Sequence, residues 1–239
     1  MTEFRVFANS AACAEAIADA FLVRVAELLA EKAEIHVSIT GGTLGIQSLA
    51  AIARQANLQN INWNRVHIWW GDERYVASDS ADRNAVQART ALLQFVPDAK
   101  LHEFPSADAG ESVFEAANRF ATEVAAFNVG TAVSFDITLL GMGPDGHIAS
   151  LFPGKPLPAA GLSVIAEDDS PKPPPQRLSF TYEAISASDE IWFLVAGAEK
   201  AEPAAIANSN VADSLPAGRV HGRAKTIWFL DEAAASKLT

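Results

Sequence analysis

A histidine in a glycine-rich loop is the residue best suited to catalysis in this sequence. The segment LLGMGPDGHIASLFPG, residues 139–154, places Asp145 two positions before His147, and Gly143 and Gly146 flank the acid. A positioned histidine is the most common general base in enzymes, and so glycine-rich a loop is poor material for a hydrophobic core. We therefore expect His147 to move a proton during a reaction, with Asp145 orienting its ring.

The glycines of this segment also satisfy the G-x-G-x-x-G pattern of dinucleotide-binding folds. That pattern requires the third glycine to open the crossover helix of a βαβ unit. Here Pro144 interrupts the turn, and Pro153 follows Gly146 too closely for such a helix. The sequence therefore predicts no nucleotide cofactor.

Three further polar clusters, TGG, GDER and GAEK, also begin where an apolar strand ends. The TGG turn precedes a helix, whose N-terminus favours an anion. The arginine and lysine side chains of these clusters could bind a phosphate. In the strand-like segment RLSF, Arg177 and Ser179 alternate and therefore share a face. Taken singly, the TGG turn is equally well explained as a tight strand-to-helix turn, and the charged residues of the other clusters are more often solvated surface residues than ligands. The candidate binding residues are Thr40, Gly41, Gly42, Thr43, Asp72, Arg74, Arg177, Ser179 and Lys200.

Alternating strand-like and helix-like segments must position these groups. The strand-like segments are FRVFA, IHVSI, RVHIWW, FDITLLG, SVIAE, RLSF, IWFLVAG and TIWFLD. The first predicted helix covers residues 11–33 with Ser10 as its cap, and the second covers residues 46–56. This order predicts a mostly parallel sheet covered on both faces. Ligands bind beyond the carboxyl ends of such strands, so the four clusters should converge on one site.

Composition restricts the class of protein. The chain has 239 residues, 49% of them hydrophobic, and a net charge of −11, so we expect one domain over residues 1–239. The sequence has no basic run of the kind that binds nucleic acid. It also has no apolar stretch long enough to span a membrane and no predicted signal peptide, so we expect neither nucleic acid nor a membrane as a partner. Cys13 is the only cysteine, which is typical of a reducing, cytoplasmic compartment. No metal-ligand spacing, nucleophile elbow or P-loop occurs, so we expect neither metal nor cofactor.

Four segments, WWGDERYV, LLGMGPDGHIASLFPG, PPPQRLSFT and LVAGAEKA, together resemble the signatures of the 6-phosphogluconolactonase family. The resemblance implies a Rossmann-like three-layer α/β sandwich, similar to glucosamine-6-phosphate isomerase/deaminase. It also implies hydrolysis of 6-phosphoglucono-δ-lactone in the oxidative pentose phosphate pathway. The partner would be that small sugar phosphate lactone, and the protein a monomer or small homo-oligomer. Gly143, Gly146 and Asn84 would join the substrate-binding residues.

The sequence departs from the family pattern at three places. TGGTLG stands where Ser-Gly-Gly-Ser-Thr-Pro is frequent, and SADRN stands where Asp-Ser-Asn is common, with Asn84 retained. Ser179 stands where threonine is usual.

Two alternative functions stay open. The deaminase shares Asp-Gly-His but continues with Asn-Glu-Pro-Gly, whose glutamate assists ring opening, whereas this chain reads Leu151-Phe152-Pro153-Gly154. The other is a non-catalytic sugar-phosphate sensor, a class that normally carries an additional domain.

Overall fold

Short, buried apolar strands form the centre of the fold. The computed structural model describes residues 1–127 and 134–238. Its strands are β1 (Thr2–Phe7), β2 (Ile35–Ile39), β3 (Val66–Trp70), β4 (Asp72–Arg74), β5 (Lys100–His102), β6 (Ile137–Gly141), β7 (Val164–Glu167), β8 (Arg177–Phe180), β9 (Glu190–Val195) and β10 (Lys225–Asp231). Its α-helices are α1 (Ser10–Glu31), α2 (Thr43–Arg54), α3 (Asn84–Ala91), α4 (Val113–Phe127), α5 (Tyr182–Ser186), α6 (Ala201–Ala207) and α7 (Glu232–Ala235).

Seven strands form one sheet in the order β1-β10-β9-β6-β2-β3-β5. Every neighbouring pair in it is parallel, which confirms the predicted parallel α/β architecture. Strands β3 and β9 are buried along their whole length, as expected for a sheet with both faces covered. The aromatic core includes Phe193 and Trp228, whose rings stack at 3.9 Å between centroids.

The strand order reverses beside β2. From β2 the chain runs outward through β3 and β5, then returns to place β6 on the other side of β2. Such a reversal opens a crevice at the carboxyl ends of the two central strands. The TGG cluster follows β2 and the histidine loop follows β6, so the topology brings these two segments together.

A second, antiparallel sheet in the order β4-β8-β7 was not expected. The GDER cluster lies partly within β4 instead of forming a loop after β3. Gly71 links the two sheets, because its N–H donates to the Ile39 carbonyl at 3.0 Å and its carbonyl accepts from Phe180 N–H at 3.0 Å. Arg74 and Arg177 are register partners in the small sheet, so it carries two of the candidate cations.

Two predicted helix starts need correction. Asn9, not Ser10, caps α1, because its extended backbone lets the side-chain oxygen accept from Ala12 N–H at 3.0 Å. Ser10 is already helical. Helix α2 begins at Thr43, earlier than the predicted start at Ile46, because the Gly42 carbonyl already accepts the Ile46 N–H.

Candidate active site

The candidate residues of all four clusters meet in one cleft. It has a volume of about 490 Å³ and lies beyond the carboxyl ends of β2, β6 and β9. Gly42, Arg74, His147 and Lys200 all line it, which confirms that the strand ends converge. The other predicted binding residues on its wall are Thr40, Gly41, Thr43, Asp72, Asn84, Gly143 and Arg177.

His147 and Asp145 form a hydrogen-bonded pair. Nδ1 of His147 lies 2.5 Å from Oδ1 of Asp145, and the His147 carbonyl accepts from Gly143 N–H at 2.9 Å. A Cβ atom on residue 143 would overlap both the imidazole and the Asp145 carboxylate. Glycine is therefore required at position 143 to let the loop fold tightly around the pair.

The environment keeps this pair in the protonation states that a general base needs. Burial lowers the pKa of His147, and the hydrogen bond that its Nδ1–H donates to Asp145 only partly offsets that effect. Burial alone raises the pKa of Asp145, but the hydrogen bond to His147 and the nearby charges outweigh it, and the pKa falls to about 2. At neutral pH the imidazole is therefore uncharged and the carboxylate ionised.

Lys172 stands beside this pair, a position that the sequence did not indicate. Its Nζ lies 3.1 Å from Nδ1 of His147 and 3.4 Å from Oδ1 of Asp145, and it lines the cleft. The segment KPPPQRLSF reads as a proline-rich loop leading into a strand, and a lysine there resembles any solvated loop lysine. The only available signal was its place in the same segment as Arg177.

Arg74, Asn84 and Asp72 are joined in one network. Nη1 of Arg74 donates to Oδ1 of Asn84 at 2.5 Å, and Nδ2 of Asn84 donates to the Asp72 carbonyl at 2.9 Å. A Cβ on residue 41 would overlap the Asn84 amide, so Gly41 is required for this close approach. The network gives Arg74 a fixed position at the cleft wall.

A buried carboxylate behind the cleft holds this network. Glu73 accepts backbone N–H groups from Arg74, Asn84 and Ala85 at 2.7–2.8 Å, and Arg83 lies beside it. Burial raises the pKa of Glu73. Glu73 was not a predicted site residue, because an acid between Asp72 and Arg74 is typical of a solvated segment.

Asp72 is buried and points toward the histidine loop. Its Oδ2 accepts from the Ser150 hydroxyl at 2.7 Å and lies 4.0 Å from Nη1 of Arg177. Ser150 is buried as well and was not a predicted site residue. This contact ties the histidine loop to β4.

Arg177 uses most of its guanidinium on the protein itself. Nε donates to the Pro174 carbonyl at 3.1 Å, and Nη2 donates to the carbonyls of Lys172 and Pro173 at 3.1 and 3.0 Å. Burial lowers the pKa of Arg177. Arg177 therefore fixes the loop that carries Lys172, and its Nη1 faces Asp72.

Two predicted binding residues do not line the cleft. Ser179 is fully buried, and its hydroxyl donates to the Phe180 carbonyl at 2.9 Å and accepts from Ser150 N–H. Gly146 forms the turn before His147: its N–H donates to the Gly143 carbonyl, and its own carbonyl accepts from Ala217 N–H at 3.0 Å. Both residues support the site from behind. The prediction missed this because alternation along a strand and the composition of a loop do not reveal which surface a neighbouring loop will cover.

Lys200 and the start of α2 also line the cleft. Lys200 follows β9, and within the part of the chain that the structure describes its ammonium has no hydrogen-bond partner. Burial lowers its pKa. Helix α2 begins at Thr43 without a side-chain cap, so its first N–H groups are available to an anion. The Thr40 hydroxyl accepts from Gly141 N–H at 3.3 Å, and Thr40 lines the same cleft.

Among residues 1–127 and 134–238, no group of His, Cys, Asp or Glu side chains has the arrangement of a metal site. In the same ranges, no helix combines the length and apolar character needed to span a bilayer. Cys13 is buried, and burial raises the pKa of its thiol to about 12.

Known proteins share both this sequence and this fold. The family described as glucosamine-6-phosphate isomerases/6-phosphogluconolactonase matches residues 8–228. A 6-phosphogluconolactonase of Streptomyces coelicolor is 41% identical over 235 residues, 94% of this chain and 90% of that protein. The structure of a Thermotoga maritima 6-phosphogluconolactonase has a TM-score of 0.80 at 27% identity, over 97% of this chain and all of that one. A monomeric glucosamine-6-phosphate deaminase has a TM-score of 0.79 at 20% identity, over 98% and 99%, and shares the fold.

Proposed function

The chain belongs to the family of glucosamine-6-phosphate isomerases and 6-phosphogluconolactonases, and from that premise we propose that it hydrolyses 6-phospho-D-glucono-1,5-lactone to 6-phospho-D-gluconate. This reaction is a step of the oxidative pentose phosphate pathway. The observation that carries the proposal is the Asp145–His147 pair, which presents a neutral imidazole to a cleft that also contains cationic side chains.

In the proposed reaction, His147 acts as the general base. With its Nδ1 proton directed at Asp145, the Nε2 lone pair accepts a proton from water while the water oxygen attacks C1 of the lactone. The tetrahedral intermediate then collapses, the bond from C1 to the ring oxygen breaks, and His147 returns the proton to that oxygen. One water is consumed, and the product is an open-chain hydroxy acid.

Cations in the cleft bind the phosphate and the developing oxyanion in this proposal. Lys200 and the N-terminus of α2 line the cleft, and so do Arg74 and Arg177 of the small sheet. Arg177 already donates to three loop carbonyls, which leaves Lys200 and the Gly41–Gly42 backbone better placed for phosphate. Charge-assisted hydrogen bonds of this type bind phosphate strongly.

One observation argues against the deaminase alternative. The position at which deaminases carry the ring-opening glutamate holds Phe152, which is buried with its ring 4.9 Å from that of His147. An apolar ring cannot transfer the proton that opens an amino sugar. The same ring excludes water from one face of the imidazole, and burial in turn lowers the pKa of His147.

The test offers the purified protein freshly prepared 6-phosphogluconolactone and glucosamine 6-phosphate in parallel, with a chelator present. We expect acid release from the lactone well above its spontaneous rate, no ammonia from the amino sugar, and no effect of the chelator. Ammonia release would reassign the protein as a deaminase. Binding of both compounds without turnover of either would favour a sensor.

A further inference from the structure

Nδ1 of His147 faces two groups of opposite charge. Oδ1 of Asp145 lies at 2.5 Å and Nζ of Lys172 at 3.1 Å, and these two groups are 3.4 Å apart. An ionised carboxylate only accepts hydrogen bonds, and an ammonium only donates them. The Asp145 oxygen can therefore take both the Nδ1 proton and a Lys172 proton, an arrangement that leaves Nε2 of His147 with its lone pair.

The backbone of Lys172 is held in place. Its carbonyl accepts from Arg177 Nη2 at 3.1 Å and from the Ser170 hydroxyl at 2.9 Å, and its N–H lies 3.2 Å from that same hydroxyl oxygen. Ser170 N–H donates to the Pro175 carbonyl at 3.0 Å. The loop that carries Lys172 is thus held by the protein, and its ammonium lies beside the pair.

We propose that Lys172 is a positioning residue of the Asp145–His147 pair: its ammonium donates to the Asp145 carboxylate beside Nδ1 of His147 and keeps the imidazole uncharged with Nε2 free to accept a proton. The proposal rests on the proposed lactone hydrolysis, in which His147 is the base. It assigns Lys172 a task separate from phosphate binding, although Lys172 also lines the cleft.

The charges around His147 give the direction of the effect. Asp145, on the same loop, and Asp72, on β4, raise the pKa of His147, whereas burial and Lys172 lower it. Arg177 lies opposite Asp72, and Lys200 lines the same cleft within electrostatic reach of Lys172 and Asp145. Without Lys172, the carboxylates would stabilise the imidazolium, so protonation would inactivate the base at a higher pH. Lys172 also makes the transient imidazolium a stronger acid toward the departing ring oxygen.

The test compares the wild type with Lys172→Met and Lys172→Arg on glucono-δ-lactone, which lacks a phosphate, and on the phosphorylated lactone. The acidic limb of kcat/KM against pH reports the base in the free enzyme. We expect Lys172→Met to move this limb upward by about one pH unit on both lactones. Lys172→Arg, which retains the charge, should stay near the wild type, as should Lys237→Met, whose ammonium pairs with Glu202.

A second readout does not depend on turnover. Nitrogen-15 NMR of the histidine side chains reports the tautomer and titration midpoint of His147, identified by the signal lost in His147→Gln. We expect the Nδ1–H tautomer in the wild type and a midpoint raised by about one pH unit in Lys172→Met. If the wild type hydrolyses neither lactone, the proposed function fails, and this titration still tests Lys172. An unchanged midpoint and acidic limb, with a higher KM for the phosphorylated lactone alone, would make Lys172 a phosphate ligand and overturn the proposal.

Discussion

The Asp145–His147 pair depends on the absence of one carbon atom at residue 143. A Cβ there would overlap Nδ1 of His147 and the Asp145 carboxylate, and neither can withdraw without breaking their hydrogen bond. The chemistry of His147 is therefore set by a neighbour that has no side chain. Gly41 has the same effect on Asn84, because a Cβ at residue 41 would overlap the Asn84 amide.

We expect Gly143→Ala to lower kcat about as much as removal of the base itself, because the imidazole must turn away from Asp145. General-base catalysis is typically worth roughly 10²–10⁴-fold, and steady-state kinetics on the phosphorylated lactone measure the loss. Gly71→Ala is a matched control, since its added methyl group would meet no atom closer than 3.8 Å. Near-normal turnover in Gly143→Ala would contradict the geometry assigned to the pair.

Replacing His147 itself separates chemistry from binding. His147→Gln removes the proposed base but none of the cations, so kcat should fall by about 10²–10⁴-fold. The affinity for 6-phosphogluconate, measured by calorimetry, should remain close to that of the wild type. A variant that lost product binding but kept its turnover would assign His147 to recognition instead.

Lys200 is expected to act through the phosphate. A hydrogen bond to a charged group contributes about 1.5–3 kcal/mol, so Lys200→Met should weaken 6-phosphogluconate binding by roughly tenfold to a hundredfold. Hydrolysis of glucono-δ-lactone should barely change, because that substrate has no phosphate. Equal losses on both lactones would show that Lys200 serves the reacting end of the substrate.

At the scale of elements, strands β2, β3 and β5 carry a stack of imidazoles remote from the candidate site. The rings of His36 and His67 lie 4.3 Å apart and those of His67 and His102 5.0 Å apart, and Nδ1 of His67 is 2.8 Å from Nε2 of His102. Burial, followed by the charge of His67, lowers the pKa of His36 and of His102 to about 4. The folded state therefore holds these imidazoles uncharged.

This stack predicts acid-sensitive stability. The folded-state pKa values of about 4 lie below the unfolded value of about 6.5, so the unfolded chain binds more protons between them. The free energy of unfolding should thus fall as pH drops from about 6.5 toward 4, by at most roughly 3 kcal/mol for each of these two imidazoles, and by less where water screens the ring. Glu34, Lys100 and Asp136 also face the stack and modulate this loss.

Urea unfolding at a series of pH values measures the effect. His102→Gln should lose less stability than the wild type between pH values of about 6.5 and 5, because one imidazole no longer becomes charged in the core. The exposed His221 offers a matched control, and His221→Gln should keep the wild-type pH dependence. Parallel curves for the wild type and His102→Gln would exclude the stack as the cause.

The parallel sheet could be predicted from the sequence because its strands are runs such as IHVSI and EIWFLV, in which nearly every residue is buried. The small antiparallel sheet could not be predicted in this way. Strand β4 consists of three polar residues, and it is buried only because the Glu73 carboxylate finds backbone N–H groups and Arg83. Those partners come from another part of the fold. Periodicity within a segment carries no information about them.

The candidate site divides in the same way. His147, Asp145 and Lys200 could be predicted because their types follow directly after apolar strands, and strand ends converge by topology alone. Lys172 and Ser150 act through contacts with residues from other segments. Ser179 shows the converse, because its alternation with Arg177 is real but the histidine loop covers it. The local sequence pattern therefore indicates the type of chemistry, whereas tertiary contacts decide which side chains border the candidate site.

Across the whole molecule, the cleft collects residues from Ser10 near the start of the chain to Asp231 near its end. A ligand held there contacts the ends of strands on both sides of the β2–β6 reversal. Binding should therefore oppose unfolding of the entire sheet and not only of one loop.

We expect 6-phosphogluconate at a hundred times its Kd to stabilise the native state by about 2.7 kcal/mol, which raises Tm by roughly 5–10 °C in a chain of this size. Thermal denaturation followed by circular dichroism measures this shift. Gluconate at the same concentration should give a much smaller one, because it lacks the phosphate. Equal shifts from both acids would argue against a phosphate subsite in the cleft.

The three carbonyls bound by Arg177 have a consequence for the energetics of recognition. A loop that orders only when substrate arrives spends part of the binding energy on its own conformational entropy. Here the proline-rich segment is anchored to β8 by a buried guanidinium during folding, so that cost is met before any substrate is present. The lysine end of the loop is thus preorganised, and little affinity should be lost to immobilising it.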